Sequence, residues 1–178
     1  MKKQLSMILP FLIMVLPVLA DNDAGFERGG DGGFAGGLGN FAVFLLAVGA
    51  VYVALRVLYV WSKSWPEDYE EWKTLLKDLY RQYRKPLLTI HNWMMIAAVV
   101  VGGIHGIFLL SRGGFQVITG IVAWGIMLFL AIFGTVIYYK MRPIWDKREV
   151  KGFVRFVHRQ WILSIILIIA LLIHVGIN

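Results

Sequence analysis

The sequence predicts an all-α membrane protein, a four-helix transmembrane bundle that follows a cleavable N-terminal signal peptide. Of its 178 residues, 58% are apolar and only 16% are charged, and the mean hydropathy is +0.68. Soluble chains are about half apolar and about a quarter charged. The apolar residues also cluster into long runs, which is the pattern of membrane spans.

The amino-terminal residues match a signal peptide over positions 1–20. Two lysines precede an apolar core over residues 5–19, and small residues ending at Ala20 suit cleavage. The alternative is a retained first helix, shortened by its two prolines. Residues 21–40 are rich in Gly and Asp, so we expect a flexible extracytoplasmic segment there.

Four longer apolar runs follow, and residues 41–178 form the predicted transmembrane domain. Each run can cross a hydrocarbon core about 30 Å thick, which takes about 20 residues. Because lipid satisfies no backbone polar group, each run must be a helix. The runs are Phe41–Trp61, Leu87–Ser111, Phe115–Tyr139 and Phe153–Ile177.

Loop charges predict the orientation. Twelve Lys and Arg residues lie in the two long loops, 62–86 and 140–155, and only Arg28 and Arg112 lie in the other polar segments. The positive-inside rule puts the long loops in the cytoplasm and both mature termini outside. We expect a multi-pass protein of the cell membrane. The net charge of +7 is explained by these loops, so we expect no nucleic-acid partner.

The first long loop has its own helical pattern. Ser64 with Glu67 resembles a capping box, and apolar side chains then recur every three or four residues. This predicts a short interfacial helix at 65–83 on the inner membrane surface. The alternative is a docking helix for a cytoplasmic partner. The recurring side chains are Tyr69, Trp72, Leu76, Leu79 and Tyr83.

Four histidines are the candidate functional residues, and all lie in the second and fourth runs. Ionisable side chains within membrane spans are costly and usually functional. These two runs cross in the same direction, so His91 and His158 share one depth, and His105 and His174 share another. At 1.5 Å per residue the two depths are about 21–24 Å apart.

Paired imidazoles at two depths favour two b-type haems, because neutral imidazole is a good axial ligand of haem iron. Zinc would need three or four ligands at one depth. With no cysteine in the chain, iron–sulfur clusters, thiolate zinc sites and c-type haem attachment are excluded. The alternative role for these histidines is hydrogen bonding between helices.

The angular positions agree for only one of the two helices. His91 and His105 are fourteen residues apart, which leaves them within about 40° on a regular helix. His158 and His174 are sixteen residues apart, which separates them by about 160°. A single π-bulge would reduce that offset to about 60°. Without an irregularity one pair fails, and the protein holds one haem rather than two.

Other residues suit a flat macrocycle with carboxylate side chains. Arg56 and Arg159 could pair with haem propionates, although snorkelling to headgroups is the alternative. Glycines around His105 would let a ring approach closely, although helix packing is the alternative. The glycines are Gly102, Gly103 and Gly106.

Two segments form an imperfect repeat, His91-Asn-Trp93…His105 and His158-Arg-Gln-Trp161…His174. Over residues 41–178 the chain resembles transmembrane di-haem b-type cytochromes. These include the cytochrome b core of quinol-oxidising complexes, ferric-reductase-like proteins and the cytochrome b anchors of dehydrogenases and hydrogenases. In the cytochrome b core the second and fourth helices supply all ligands, spaced by close to fourteen residues. The fourth run departs from that spacing.

The expected function is transmembrane electron transfer through two bis-histidine b-type haems, as a subunit of a respiratory complex. The resemblance implies lipid around the bundle and a redox partner protein on the extracytoplasmic face. One alternative is a quinone-reactive cytochrome b anchor of a dehydrogenase or reductase. Another is a non-redox scaffold or assembly subunit. No nucleophile, acid–base pair or phosphate loop stands out, so we assign no catalytic residue.

Overall fold

The computed structural model describes residues 32–159 and 161–176, and the expected signal peptide lies outside them. Throughout these residues the regular structure is helical. Short 3₁₀ turns at Glu67–Tyr69 and Leu110–Arg112 connect the first three long helices. The α-helices are α1 (Gly32–Ser62), α2 (Glu70–Leu109), α3 (Gly114–Tyr139), α4 (Arg142–Trp145), α5 (Arg148–His158) and α6 (Trp161–Gly176).

Four helical stretches are long and apolar enough to cross a membrane, which confirms the predicted membrane class. They are α1, α2, α3 and the α5–α6 unit. Large apolar side chains cover the outside of the bundle; Ile107 is 69% exposed and Phe115 is 62% exposed. An apolar surface of this extent requires lipid around it.

Helix α1 begins earlier than expected. Residues 33–40, predicted to be part of a flexible segment, are helical. Tertiary contacts explain the difference: Phe34 packs edge-on against Phe108, with ring centroids 5.7 Å apart, and Gly39 lies against the His105 ring. These contacts offset the conformational entropy that glycine loses in a helix.

Helix α2 also differs from the prediction. The separate interfacial helix expected at 65–83 is instead continuous with the second span, with Pro86 inside a helix of 40 residues. At 1.5 Å per residue it is about 60 Å long, twice the hydrocarbon thickness. The reason is packing on α1, because Tyr80 stacks on Tyr59 at 4.5 Å.

The capping box expected at the start of this helix is not formed. The Ser64 hydroxyl donates instead to the Trp61 carbonyl oxygen at 2.8 Å, closing off the end of α1. The first helical turn then begins at Glu67, after Pro66.

The fourth span is two helices rather than one. Helix α5 ends at His158 and α6 begins at Trp161. Between them Arg159 has φ −93° and ψ 1°, outside the helical geometry. The irregularity in the fourth span is therefore a break after α5 rather than the π-bulge that would also have reduced the angular offset.

Helices adjacent in sequence pack side by side, α1 on α2, α2 on α3, and α3 on both α5 and α6. Between α2 and α3, the Trp124 indole Nε1–H donates to the Val99 carbonyl oxygen at 2.9 Å. The largest cluster of buried side chains lies between the two levels of histidines. It comprises Leu45, Leu46, Ala98, Val99, Ala123, Met127 and Leu167.

Candidate functional site

The four histidines meet in two pairs across the bundle. The rings of His91 and His158 have centroids 6.4 Å apart with an interplanar angle of 68°. Those of His105 and His174 have centroids 6.1 Å apart with an angle of 84°. Each pair joins one imidazole of α2 to one of the α5–α6 unit, in the combinations that depth predicted.

The break at Arg159 makes both pairs possible. On an uninterrupted helix, His174 would lie about 160° from His158 and would miss the histidine of α2. Helix α5 ends at His158 and α6 begins at Trp161, and His174 nevertheless faces His105. The two histidines of the α5–α6 unit, sixteen residues apart, therefore both face the two histidines of α2, which are fourteen residues apart.

Every imidazole donates its Nδ1–H to a backbone carbonyl oxygen of the neighbouring helix. A carbonyl oxygen only accepts, so Nδ1 carries the proton in each of these bonds. The nitrogen that could coordinate a metal is therefore Nε2 in all four rings. The bonds are His91 to Gly49 at 2.9 Å, His105 to Ala35 at 2.7 Å, His158 to Leu130 at 3.0 Å and His174 to Gln116 at 3.1 Å.

The accepting carbonyls have a regular spacing that the sequence analysis missed. Ala35 and Gly49 on α1 are fourteen residues apart, and so are Gln116 and Leu130 on α3. Fourteen residues rise about 21 Å, which matches the separation of the two levels. Helices α1 and α3 thus serve as equivalent supports. Carbonyls carry no side-chain signature, so the sequence could not reveal them.

Three of the four imidazole rings pack directly against a glycine of a neighbouring helix. A Cβ atom on Gly39 would lie 2.9 Å from Cε1 of His105, and one on Gly134 would lie 2.9 Å from Cε1 of His158. A Cβ atom on Gly120 would lie 3.0 Å from Cε1 of His174. Contacts of 2.9 Å to a Cβ atom essentially do not occur in proteins, and one of 3.0 Å would require the ring to shift by a few tenths of an ångström, so each ring lies in space that glycine leaves open.

These three glycines each stand four residues after an accepting carbonyl, one helical turn along the same face. The carbonyl and the glycine together form a notch that receives one imidazole. The fourteen-residue interval between Gly120 and Gly134 was the signal in the sequence that could have located them. At His91 the notch differs, because Gly49 itself supplies the carbonyl.

The glycines singled out from the sequence have other neighbours. A Cβ atom on Gly103 would lie 3.1 Å from Nε1 of Trp124, and one on Gly102 would lie 3.3 Å from Cε of Met127. These contacts are those of the helix-packing alternative, between α2 and α3. Nothing lies within 4 Å of such an atom on Gly106.

Arg56 and Arg159 lie beside the His91–His158 pair. The two guanidinium groups are within electrostatic range of each other and of the Tyr52 side chain. The Tyr52 ring is 5.6 Å from the His91 ring. Within the described residues the ion pair is Lys73–Glu70, on a different part of α2. Neither arginine therefore has a carboxylate partner there.

The residues present fit a bis-histidine haem at both levels. Two metal–imidazole bonds of about 2.0 Å, with the distance of about 1.1 Å from each ring nitrogen to its centroid, separate two coaxial rings by about 6.2 Å. The observed separations are 6.4 and 6.1 Å. No group of three or more metal-ligating side chains forms among the described residues. Two donors at a level suit a macrocycle that brings its own nitrogens better than they suit zinc.

Comparison of the chain with protein-family models, curated proteins and solved structures finds no match. The paired rings, their shared hydrogen-bond pattern and the glycine notches are the features that distinguish this site.

Proposed function

We propose that this chain is a di-haem b-type cytochrome that carries electrons across the membrane. His91 and His158 would hold one haem, and His105 and His174 the other. The observation that carries the proposal is the pairing of imidazoles about 6 Å apart at two levels. In both pairs, the Nδ1 of each ring is hydrogen-bonded to a backbone carbonyl oxygen of a supporting helix.

The protein's own groups have defined tasks in this proposal. A haem iron held by two imidazoles supplies reversible one-electron transfer. The carbonyl bonds to Nδ1 fix the ring orientation and raise the basicity of Nε2, as supporting hydrogen bonds do around metal ligands. The apolar bundle excludes water and lowers the local dielectric constant, which strengthens electrostatic tuning. Arg56 and Arg159 would hold propionates in a two-pronged geometry.

The proposed path runs between two levels about 21 Å apart along the membrane normal. With two imidazoles bound to each haem, neither level would offer a place for substrate. Electrons must then come from one partner and leave to another. We propose a subunit of a respiratory complex in the cell membrane, with both mature termini outside and a redox partner protein on the extracytoplasmic face.

A second candidate is a cytochrome b anchor that exchanges electrons with quinone. The observation in its favour is the polar group beside His91, where Tyr52 interacts with Tyr80 and lies near Arg56. Hydroxyl and guanidinium groups can hydrogen-bond the oxygens of a quinone ring. Reduction of a short-chain quinone by the isolated, reduced protein distinguishes this candidate from transfer to a protein partner.

The third candidate is a scaffold whose histidines only join helices. The four carbonyl bonds favour it, since each already links two helices. However, such bonds need no second imidazole facing the first, and both levels have one. The scaffold explains the Nδ1 contacts but not the pairing.

Optical and electron paramagnetic resonance spectra of the purified protein test the proposal. We expect a sharp α band on reduction and low-spin signals from two bis-histidine sites on oxidation. Full helicity by circular dichroism together with no such bands, after expression with ample haem, would favour the scaffold instead.

A further inference from the structure

A row of cations on α5 has no compensating charge. Lys151, Arg155 and Arg159 recur every four residues and so share one face of the helical segment. Like charges at this spacing repel and destabilise a helix. Within residues 32–159 and 161–176, no carboxylate lies within 4.0 Å of any of the three.

Two of these cations converge on one aromatic ring. Lys151 Nζ lies 5.0 Å from the centroid of the Trp145 ring, and Arg155 Cζ lies 4.7 Å from it. The ring attracts both cations but neutralises neither. The Arg155 Nε atom is also buried without a hydrogen-bond partner. The two cations and the Trp145 ring therefore form a positively charged cluster with no carboxylate in contact among the described residues.

Helix α5 also presents a lipid-exposed aromatic surface near this cluster. Phe153 is 60% exposed and Phe156 is 64% exposed. Cations on one face and aromatic side chains on another are typical of a helix at the membrane interface. Trp145 ends the short α4, and tryptophan prefers the same depth.

We propose that Trp145, Lys151 and Arg155 bind the phosphate of an anionic phospholipid headgroup. The phosphate would accept hydrogen bonds from the terminal nitrogens of the Arg155 guanidinium and would neutralise its repulsion with Lys151. The acyl chains would cover Phe153 and Phe156, which a free phosphate ion would leave bare. The site is independent of the histidines and of the proposed electron transfer.

The test uses the purified full-length chain in detergent. Native mass spectrometry measures binding of phosphatidylglycerol, with zwitterionic phosphatidylcholine as the comparison lipid. We expect the protein to prefer phosphatidylglycerol, and Arg155→Gln or Lys151→Gln each to weaken that binding about fivefold, the effect of one cation near an anionic lipid. Lys147→Gln, an exposed position of the same segment, is the matched control and should leave binding unchanged.

Three results would overturn the site. An equal loss in Lys147→Gln would show general attraction to the basic loop. Displacement of the lipid by millimolar inorganic phosphate would assign the pocket to a free anion. Unchanged binding in Lys151→Gln would also refute it, and this variant removes a charge without touching the buried Nε of Arg155, so it remains informative if Arg155→Gln fails to fold.

Discussion

The second and fourth spans present the same pair of histidines by different backbone routes. Helix α2 is continuous and uses fourteen residues between His91 and His105. The α5–α6 unit uses sixteen between His158 and His174 and breaks at Arg159. Both routes bring the rings to within 6.4 Å of their partners. The position of each imidazole in space is therefore kept although the residue spacing differs, because the break at Arg159 compensates for the two extra residues between His158 and His174.

We expect the greatest loss of haem when the two histidines of α2 are placed sixteen residues apart, as in the fourth span, without a break in the helix. Two alanines inserted between Ala97 and Ala98 rotate the following part of α2 by about 200°. His105 would turn away from His174, and Gly103 would leave Trp124. We expect loss of one haem per chain and lower thermal stability, measured by pyridine haemochrome and by helical melting.

Two alanines inserted after Lys63, in the turn between α1 and α2, are the control for that insertion. Haem content in this variant should stay near the parent value. Retention of both haems in the α2 insertion would show that the spacing in α2 is not what sets the His105–His174 pair.

Removal of single ligands should affect the two spans equally. His105→Ala and His174→Ala should each lower haem content from two to one per chain, because each removes one axial ligand of the same level. The spectrum of the His91–His158 level should persist. Ile104→Ala, at a lipid-exposed neighbour of His105, is the control and should keep both haems. Different losses in the two histidine variants would contradict a shared site.

The glycine notches give a smaller effect that again compares the two spans. Gly39→Ala crowds the His105 ring of α2, and Gly134→Ala crowds the His158 ring of α5. Each ring must shift, so we expect haem affinity at the affected level to fall about tenfold, as for other residues that orient metal ligands. Haem transfer to apomyoglobin measures this loss. Gly125→Ala, with open space around its Cβ position, should leave it unchanged.

The smallest effect concerns the contact between α2 and α3. Trp124→Phe removes the bond from Nε1 to the Val99 carbonyl oxygen. We expect the free energy of unfolding to fall by about 1 kcal/mol, as for a single hydrogen bond between membrane helices. Unfolding in mixed micelles measures it. A loss of haem as large as in Gly134→Ala would instead make Trp124 part of the site.

The sequence predicted the four spans and the depth of each histidine, because both follow from hydrophobic length and helical rise. It could not predict the break at Arg159, which has no Pro or Gly to mark it. It also missed the continuity of α2, because the apolar run begins only at Leu87 and several of the preceding residues are charged. The stacking of Tyr80 on Tyr59 favours the continuous helix, and a contact between residues so far apart in the chain cannot be read from local sequence.

The backbone carbonyl oxygens that accept hydrogen bonds from the imidazoles could not be predicted from the sequence either. Ala35 and Leu130 contribute only their carbonyl oxygens, and neither side chain has chemistry that would mark it. The sequence analysis selected glycines close to His105 in the chain, whereas the glycines that contact the rings in space are Gly39, Gly120 and Gly134. Neighbours on other helices, rather than neighbours in the chain, build this site.

The most direct test is the number of haems bound per chain of the purified protein. The pyridine haemochrome assay, with protein measured by amino-acid analysis, should give two b-type haems per chain, one for each pair of imidazoles. A folded, helical protein that holds no haem after expression with excess precursor would contradict the account. A value of one would mean that only one of the two pairs clamps a macrocycle.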